Sequence, residues 1–109
     1  MAGTQEQSRP SGVNHFVQGS ISGTYTAANE TLTLGFVPRY FKVTDITTRI
    51  SGEWYNGMNS GDYLKTVAAG TRTLETDDKI VVNTDGTVSL VASGGIHASN
   101  STVCWEARA

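Results

Sequence analysis

Thr31-Leu32-Thr33-Leu34-Gly35-Phe36 places Leu32, Leu34 and Phe36 on one side of the chain, with Thr31, Thr33 and Gly35 on the other. A few residues on, Tyr40-Phe41-Lys42-Val43-Thr44 does the same with Phe41 and Val43. A repeat of two is the repeat of a strand, because successive side chains leave a pleated backbone on opposite sides. Pro38 stands between the two runs, where it ends or edges a strand. The phase then breaks: Ile46 and Ile50 have the parity opposite to Phe41 and Val43, which a strand accommodates only through a turn or bulge, and a turn is expected at residues 45–48.

Outward from this stretch the pattern persists. In residues 49–55, Ile50, Gly52 and Trp54 share one face, and Arg49, Ser51, Glu53 and Tyr55 share the other, so Trp54 is expected in the core and Tyr55 outside it. The turn-rich residues 56–62 lead to a return strand at 63–68, and Gly70 marks a bend. Residues 79–83 and 87–91 flank Thr84-Asp85-Gly86, whose Asp-Gly pair supplies the positive φ of a tight reversal, and a hairpin follows. In the closing run 102–108, Val103, Trp105 and Ala107 oppose Cys104, Glu106 and Arg108. Shorter strands are expected at 13–17 and at 24–27, the latter with Tyr25 and Ala27 inward. The fold predicted is all-β, a β-sandwich or jelly-roll-like barrel of about eight short antiparallel strands.

Composition agrees. Val (10), Ile (5) and Thr (15) far outnumber Leu (5), and β-branched side chains suit a pleated surface. The 109 residues suffice for one domain, placed at 13–109, preceded by a polar arm at 1–12 with no apolar period, expected to be flexible. That arm reads as neither a secretory signal nor an anchor, and no run approaches a membrane span. With Lys+Arg 8 against Asp+Glu 10, the net charge of -2 disfavours binding of nucleic acid or of an anionic membrane through a broad basic face. The single cysteine, Cys104, excludes an internal disulfide and suits a reducing compartment.

Chemistry-bearing patterns are sparse. His15 and His97 lack partners at ligand spacing and read as exposed or loop histidines, and Cys104 reads as structural. Asp62, Asp77, Asp78 and Asp85 raise the question of calcium, but acidic turn residues more often bond their own backbone. Gly70-Thr71-Arg72-Thr73 lacks the ending of a phosphate loop and reads as a bend. Asn29-Glu30-Thr31 and Asn100-Ser101-Thr102 match a glycosylation acceptor pattern at the frequency chance supplies. Trp54, Trp105, Phe36, Phe41 and Tyr25 are expected to fill one core, leaving Tyr55 as the aromatic most suited to stack on a sugar. No catalytic set, metal site or cofactor motif stands out, and the expectation is a protein that is not an enzyme and takes no small-molecule substrate.

Leu32-Thr33-Leu34-Gly35-Phe36-Val37-Pro38-Arg39-Tyr40-Phe41-Lys42-Val43, Glu53-Trp54-Tyr55-Asn56-Gly57-Met58, Lys65-Thr66-Val67-Ala68-Ala69-Gly70-Thr71-Arg72-Thr73-Leu74 and Trp105-Glu106-Ala107-Arg108 together resemble small all-β virion structural proteins of tailed bacteriophages. The similarity covers most of the domain and leaves out the arm. It implies a capsid decoration (cement) protein, trimeric, made in the host bacterial cytoplasm and bound to the major capsid protein on the outer surface of the head. Arg9 and Pro10 on the arm, and Tyr55, Asn56 and Asp62 in and beside the 56–62 loop, are the candidate partner contacts. The arm would act as a clamp along a neighbour. The alternative is a tail or fibre component, or a carbohydrate- or receptor-binding module that uses Tyr55 and residues 56–62.

Overall fold

A computed structural model describes the main chain of Thr4–Ser8 and all of residues 16–109. Ten strands and no helix make up the described residues: β1 (Thr4–Ser8), β2 (Phe16–Ser22), β3 (Glu30–Thr33), β4 (Tyr40–Asp45), β5 (Ile50–Tyr55), β6 (Tyr63–Thr66), β7 (Arg72–Glu75), β8 (Ile80–Val82), β9 (Thr87–Leu90) and β10 (Val103–Arg108). Seven of them form one sheet in the order β1-β2-β10-β4-β5-β6-β7, and three form a second, β3-β9-β8. Every neighbouring pair is antiparallel. The chain is therefore an all-β sandwich of two unequal layers.

The period-two stretches supply the core. Val17, Ile21, Phe41, Val43, Trp54, Tyr63, Val103, Trp105 and Ala107 come from the large sheet, and Leu32, Ile80, Val82, Val88 and Leu90 from the small one. Tyr25, Leu34 and Ile96 close the cluster from loops, with Phe36 packed against it. The layers approach closely at Gly52, where an added Cβ would lie 2.5 Å from Ile80 Cδ1 and 3.2 Å from Ile96 Cγ1. At Gly86, φ is 85°, and the main-chain N–H of Leu34 donates to its carbonyl at 2.9 Å, which ties the β8–β9 turn to the end of β3.

Asp45 is the polar exception on the core side. Its parity follows Phe41 and Val43, it is fully buried, and its carboxylate accepts three main-chain N–H bonds. Oδ1 takes those of Thr47 and Thr48 at 3.0 Å each, closing the expected turn, and Oδ2 takes that of Ala98 at 3.0 Å. One side chain thus fixes the β4–β5 turn and the loop that precedes β10.

Several expectations are corrected. Residues 24–27 are not a strand; they run as a loop whose bonds go to residues 99–101, Tyr25 N–H to Asn100 Oδ1 at 2.8 Å and Tyr25 Oη–H to the Ser101 carbonyl at 3.0 Å. The return strand stops at Thr66, and the stretch read as a bend after Gly70 becomes β7, stabilised by pairing with β6. His97 is buried, its Nε2 donating to the Ala28 carbonyl at 2.7 Å. Residues 1–3 and 9–15, which include most of the expected arm, His15 and the start of the 13–17 strand, lie outside the described residues; Thr4–Ser8 pairs with β2 in register Thr4↔Ser22 to Ser8↔Gln18.

Replacing Asp45 with Ala strands three amide donors at once. Hydrogen bonds to charged groups contribute about 1.5–3 kcal/mol apiece and do not add fully, so Asp45→Ala is expected to cost about 3–4 kcal/mol in urea unfolding. Gly52→Ala, which overpacks a flexible Ile80 side chain, is expected to cost about 1–2 kcal/mol. A change below about 0.5 kcal/mol for Asp45→Ala would contradict the latch assigned to it.

Candidate functional site: the outer face of the large sheet

The three-stranded layer covers the inner side of the large sheet, so the opposite side is built from the alternate residues of each strand. Register sets them in rows. Arg108, Tyr40 and Tyr55 lie side by side across β10, β4 and β5, and Glu106, Lys42, Glu53, Leu64 and Leu74 form the next row from β10 to β7. Ser20, Cys104, Thr44, Ser51, Thr66 and Arg72 form a third, from β2 to β7.

At the centre stands Glu53, a carboxylate on the solvent side of a sheet that is nevertheless only 6% exposed. Its Oε2 accepts both the Tyr55 hydroxyl at 3.0 Å and the Tyr40 hydroxyl at 3.2 Å, and its Oε1 accepts Arg72 Nη2 at 3.0 Å. Arg72 reaches over from β7, with Nε also on Thr66 Oγ1 at 3.3 Å, and more than half of its side chain stays exposed. The rings of Tyr40 and Tyr55 meet edge to face, 5.2 Å between centroids and 63° between planes. Arg108 lies over Tyr40 with Cζ 4.6 Å from the ring centroid, a cation–π contact.

This arrangement has chemical consequences. Both phenolic protons are committed to a carboxylate, which has none to give back, so each hydroxyl can only accept from an incoming group. Arg72 and Arg108 retain unused N–H donors. The site offers an exposed ring on Tyr55, acceptors at two phenols and donors at two guanidiniums. Beside it, Gln18, Lys42, Thr44, Cys104, Trp105 and Glu106 line a shallow depression of about 230 Å³.

Of the residues expected from sequence, Tyr55 is in the cluster. Asn56 follows it, exposed, its N–H donating to the Arg39 carbonyl at 2.7 Å. Asp62 is half-buried in the turn before β6, its N–H on the Asn59 carbonyl at 3.1 Å, and takes no part in the Glu53 bonds. Arg9 and Pro10 lie outside the described residues. Cys104 is half-buried on the outer face. Asp85 bonds Thr87 within its own turn, as acidic turn residues commonly do, whereas Asp77 accepts the hydroxyl of the distant Tyr63 at 2.8 Å. Among the described residues no group of three His, Cys, Asp or Glu could hold a metal ion.

Glu53, Tyr40, Arg72 and Arg108 were absent from the sequence-based candidates. Parity puts Tyr40, Glu53 and Arg108 outward, but which strands are neighbours, and that Arg72 belongs to a strand at all, emerges only from the pairing.

The phenols report on the cluster. Burial, then the Glu53 charge, pushes Tyr40 up to about 12, and for Tyr55 the hydrogen bond to Glu53 and then its charge raise the pKa. Tyr25 is raised mainly by burial, and Tyr63 by burial and then Asp77. A raised folded-state pKa means that the folded chain holds its protons where the unfolded chain has released them. Stability from these groups is complete below about pH 10 and is lost as pH climbs through their raised folded-state values, about 12 for Tyr40. Ultraviolet titration of the folded protein should therefore show no phenol ionising at the ordinary value of about 10, and Glu53→Gln should bring two of the four down towards it. A wild-type midpoint near 10 for two phenols would contradict the geometry. Comparison with protein-family models, with curated proteins and with solved structures finds no match to this chain.

Proposed function

We propose that this chain is a non-enzymatic structural protein of a tailed-phage virion that docks as an oligomer on the outer surface of the head, against the major capsid protein, and stabilises the shell. The reading rests on the resemblance carried by residues 31–76 and the closing Trp105-Glu106-Ala107-Arg108. The observation that supports docking is the Glu53 cluster, which holds two tyrosines and two arginines in place on the sheet face that no other described strand covers. Tyrosine and arginine are the residues that most often dominate protein interfaces, and side chains already fixed before binding lose less entropy on contact. Stabilisation would follow from mass action: a protein that binds only the assembled lattice lowers its free energy by RT ln(1 + [L]/Kd) at each of many equivalent sites.

One observation favours a second reading. Tyr55 presents an exposed ring beside hydrogen-bond acceptors and guanidinium donors, which is a surface a sugar could stack on.

Addition of the purified protein to undecorated heads is expected to raise the temperature at which they disrupt. Tyr55→Ala and Arg108→Ala are each expected to weaken binding to heads about tenfold, a loss typical of interface anchors. Unchanged head stability at saturating protein overturns the proposal. Saturable binding to a glycan panel that Tyr55→Ala abolishes, with no affinity for heads, would establish the second reading instead.

A further inference from the structure

The large sheet ends at β7, whose outward edge pairs with no strand among the described residues. Arg72, Thr73 and Leu74 are exposed along it, and at 59% Leu74 is the most exposed of the large hydrophobic residues described. Leu64 lies directly beside Leu74 on the outer face. The strand carries Arg72 at its start and Glu75 at its end, with the exposed Asp77 and Asp78 just beyond. An antiparallel copy of such a segment sets its basic end along the acidic end of the first. The segment is therefore complementary to itself.

We propose that β7 is a contact surface between two copies of this chain, paired antiparallel across a two-fold axis that passes beside Leu74 and stands perpendicular to the sheet. In that register Leu74 faces Leu74 of the second copy, Thr73 faces Glu75 and Arg72 faces Thr76. Because the axis keeps the outer faces on one side, Leu64 and Leu74 of both copies make one apolar strip across the junction, and both Glu53 clusters point the same way. A four-residue edge with a self-complementary pattern fits an isologous contact, in which one patch serves both partners. Main-chain bonds from the open edge supply the pairing, and the leucine strip removes apolar surface that each isolated chain leaves in water. A contact this short is smaller than a stable standard-size interface, so dimerisation is concentration-dependent. The inference is independent of the virion reading.

Sedimentation equilibrium across a concentration series tests it, with circular dichroism to confirm that each variant is folded. Wild type is expected to pass from monomer to dimer. Leu74→Lys, which opposes two ammonium groups beside the axis, is expected to weaken association about tenfold or more. In a Cys104→Ser background, Leu74→Cys is expected to give a disulfide-linked dimer on oxidation, because paired residues beside the axis bring their Cβ atoms within bridging distance. Thr76→Cys, which faces position 72 in this register, is expected to give none. A wild type that stays monomeric at every concentration overturns the inference, as does an oligomer that persists unchanged in Leu74→Lys or cross-linking at position 76 equal to that at 74.

Discussion

A strand has two faces, and this chain has apolar residues enough to bury only one face of its large sheet. Val17, Phe41, Val43, Trp54, Trp105 and Ala107 all point to the side that the small sheet covers. Everything on the other side follows from that constraint. The alternate residues must be compatible with water, they are held by the same rigid backbone, and the register of β10, β4, β5 and β6 decides which of them touch. Gly52 matters for the same reason: the absence of a side chain lets Ile80 of the small layer approach β5, so the covered side is close-packed.

On the open side the most unusual investment is Glu53. Removing a carboxylate from water costs several kcal/mol unless charge and hydrogen bonds replace the lost hydration, and a partnered pair in such a place often contributes little net stability. Here three donors meet two oxygens, and one of them, Arg72, is more than half exposed and screened by solvent. The stability return is therefore small, whereas the geometric return is large: Tyr40, Tyr55 and Arg72 are all tied to one anion, and Arg108 stacks on the first of them. A surface that keeps Tyr and Arg side chains in fixed positions is suited to recognition more than to stabilising its own fold. Asp45 is the counterpart on the buried side, where a carboxylate does serve the fold because its three donors are backbone amides that no other residue satisfies.

Much of this is legible in the amino-acid sequence. The alternation in residues 40–44, 49–55 and 102–108 assigned the inner and outer faces of β4, β5 and β10 correctly, and Asp85-Gly86 marked the β8–β9 turn. What could not be read depends on partners distant in sequence. Arg72-Thr73-Leu74-Glu75 holds a single apolar residue and becomes a strand because β6 offers it an edge. Tyr25 is buried as expected, yet by loop bonds to residues 99–101 rather than by a ladder. His97 carries no local signal of burial, since its partner, the Ala28 carbonyl, lies in a separate loop. The parity of Glu53 pointed it at solvent, and only the meeting of β4, β5 and β7 shows that two phenols and a guanidinium close over it.

The claim on which the functional account turns is that the outer face of the large sheet, and not the small sheet, is the surface that meets the partner. Hydroxyl-radical footprinting of the protein free and bound to heads measures this residue by residue. The account predicts protection at Tyr55, Tyr40 and Leu64, with Thr31, Thr33 and Val81 of the small sheet as reactive as in the free chain. Protection confined to those small-sheet residues, with Tyr55 unchanged, would contradict it.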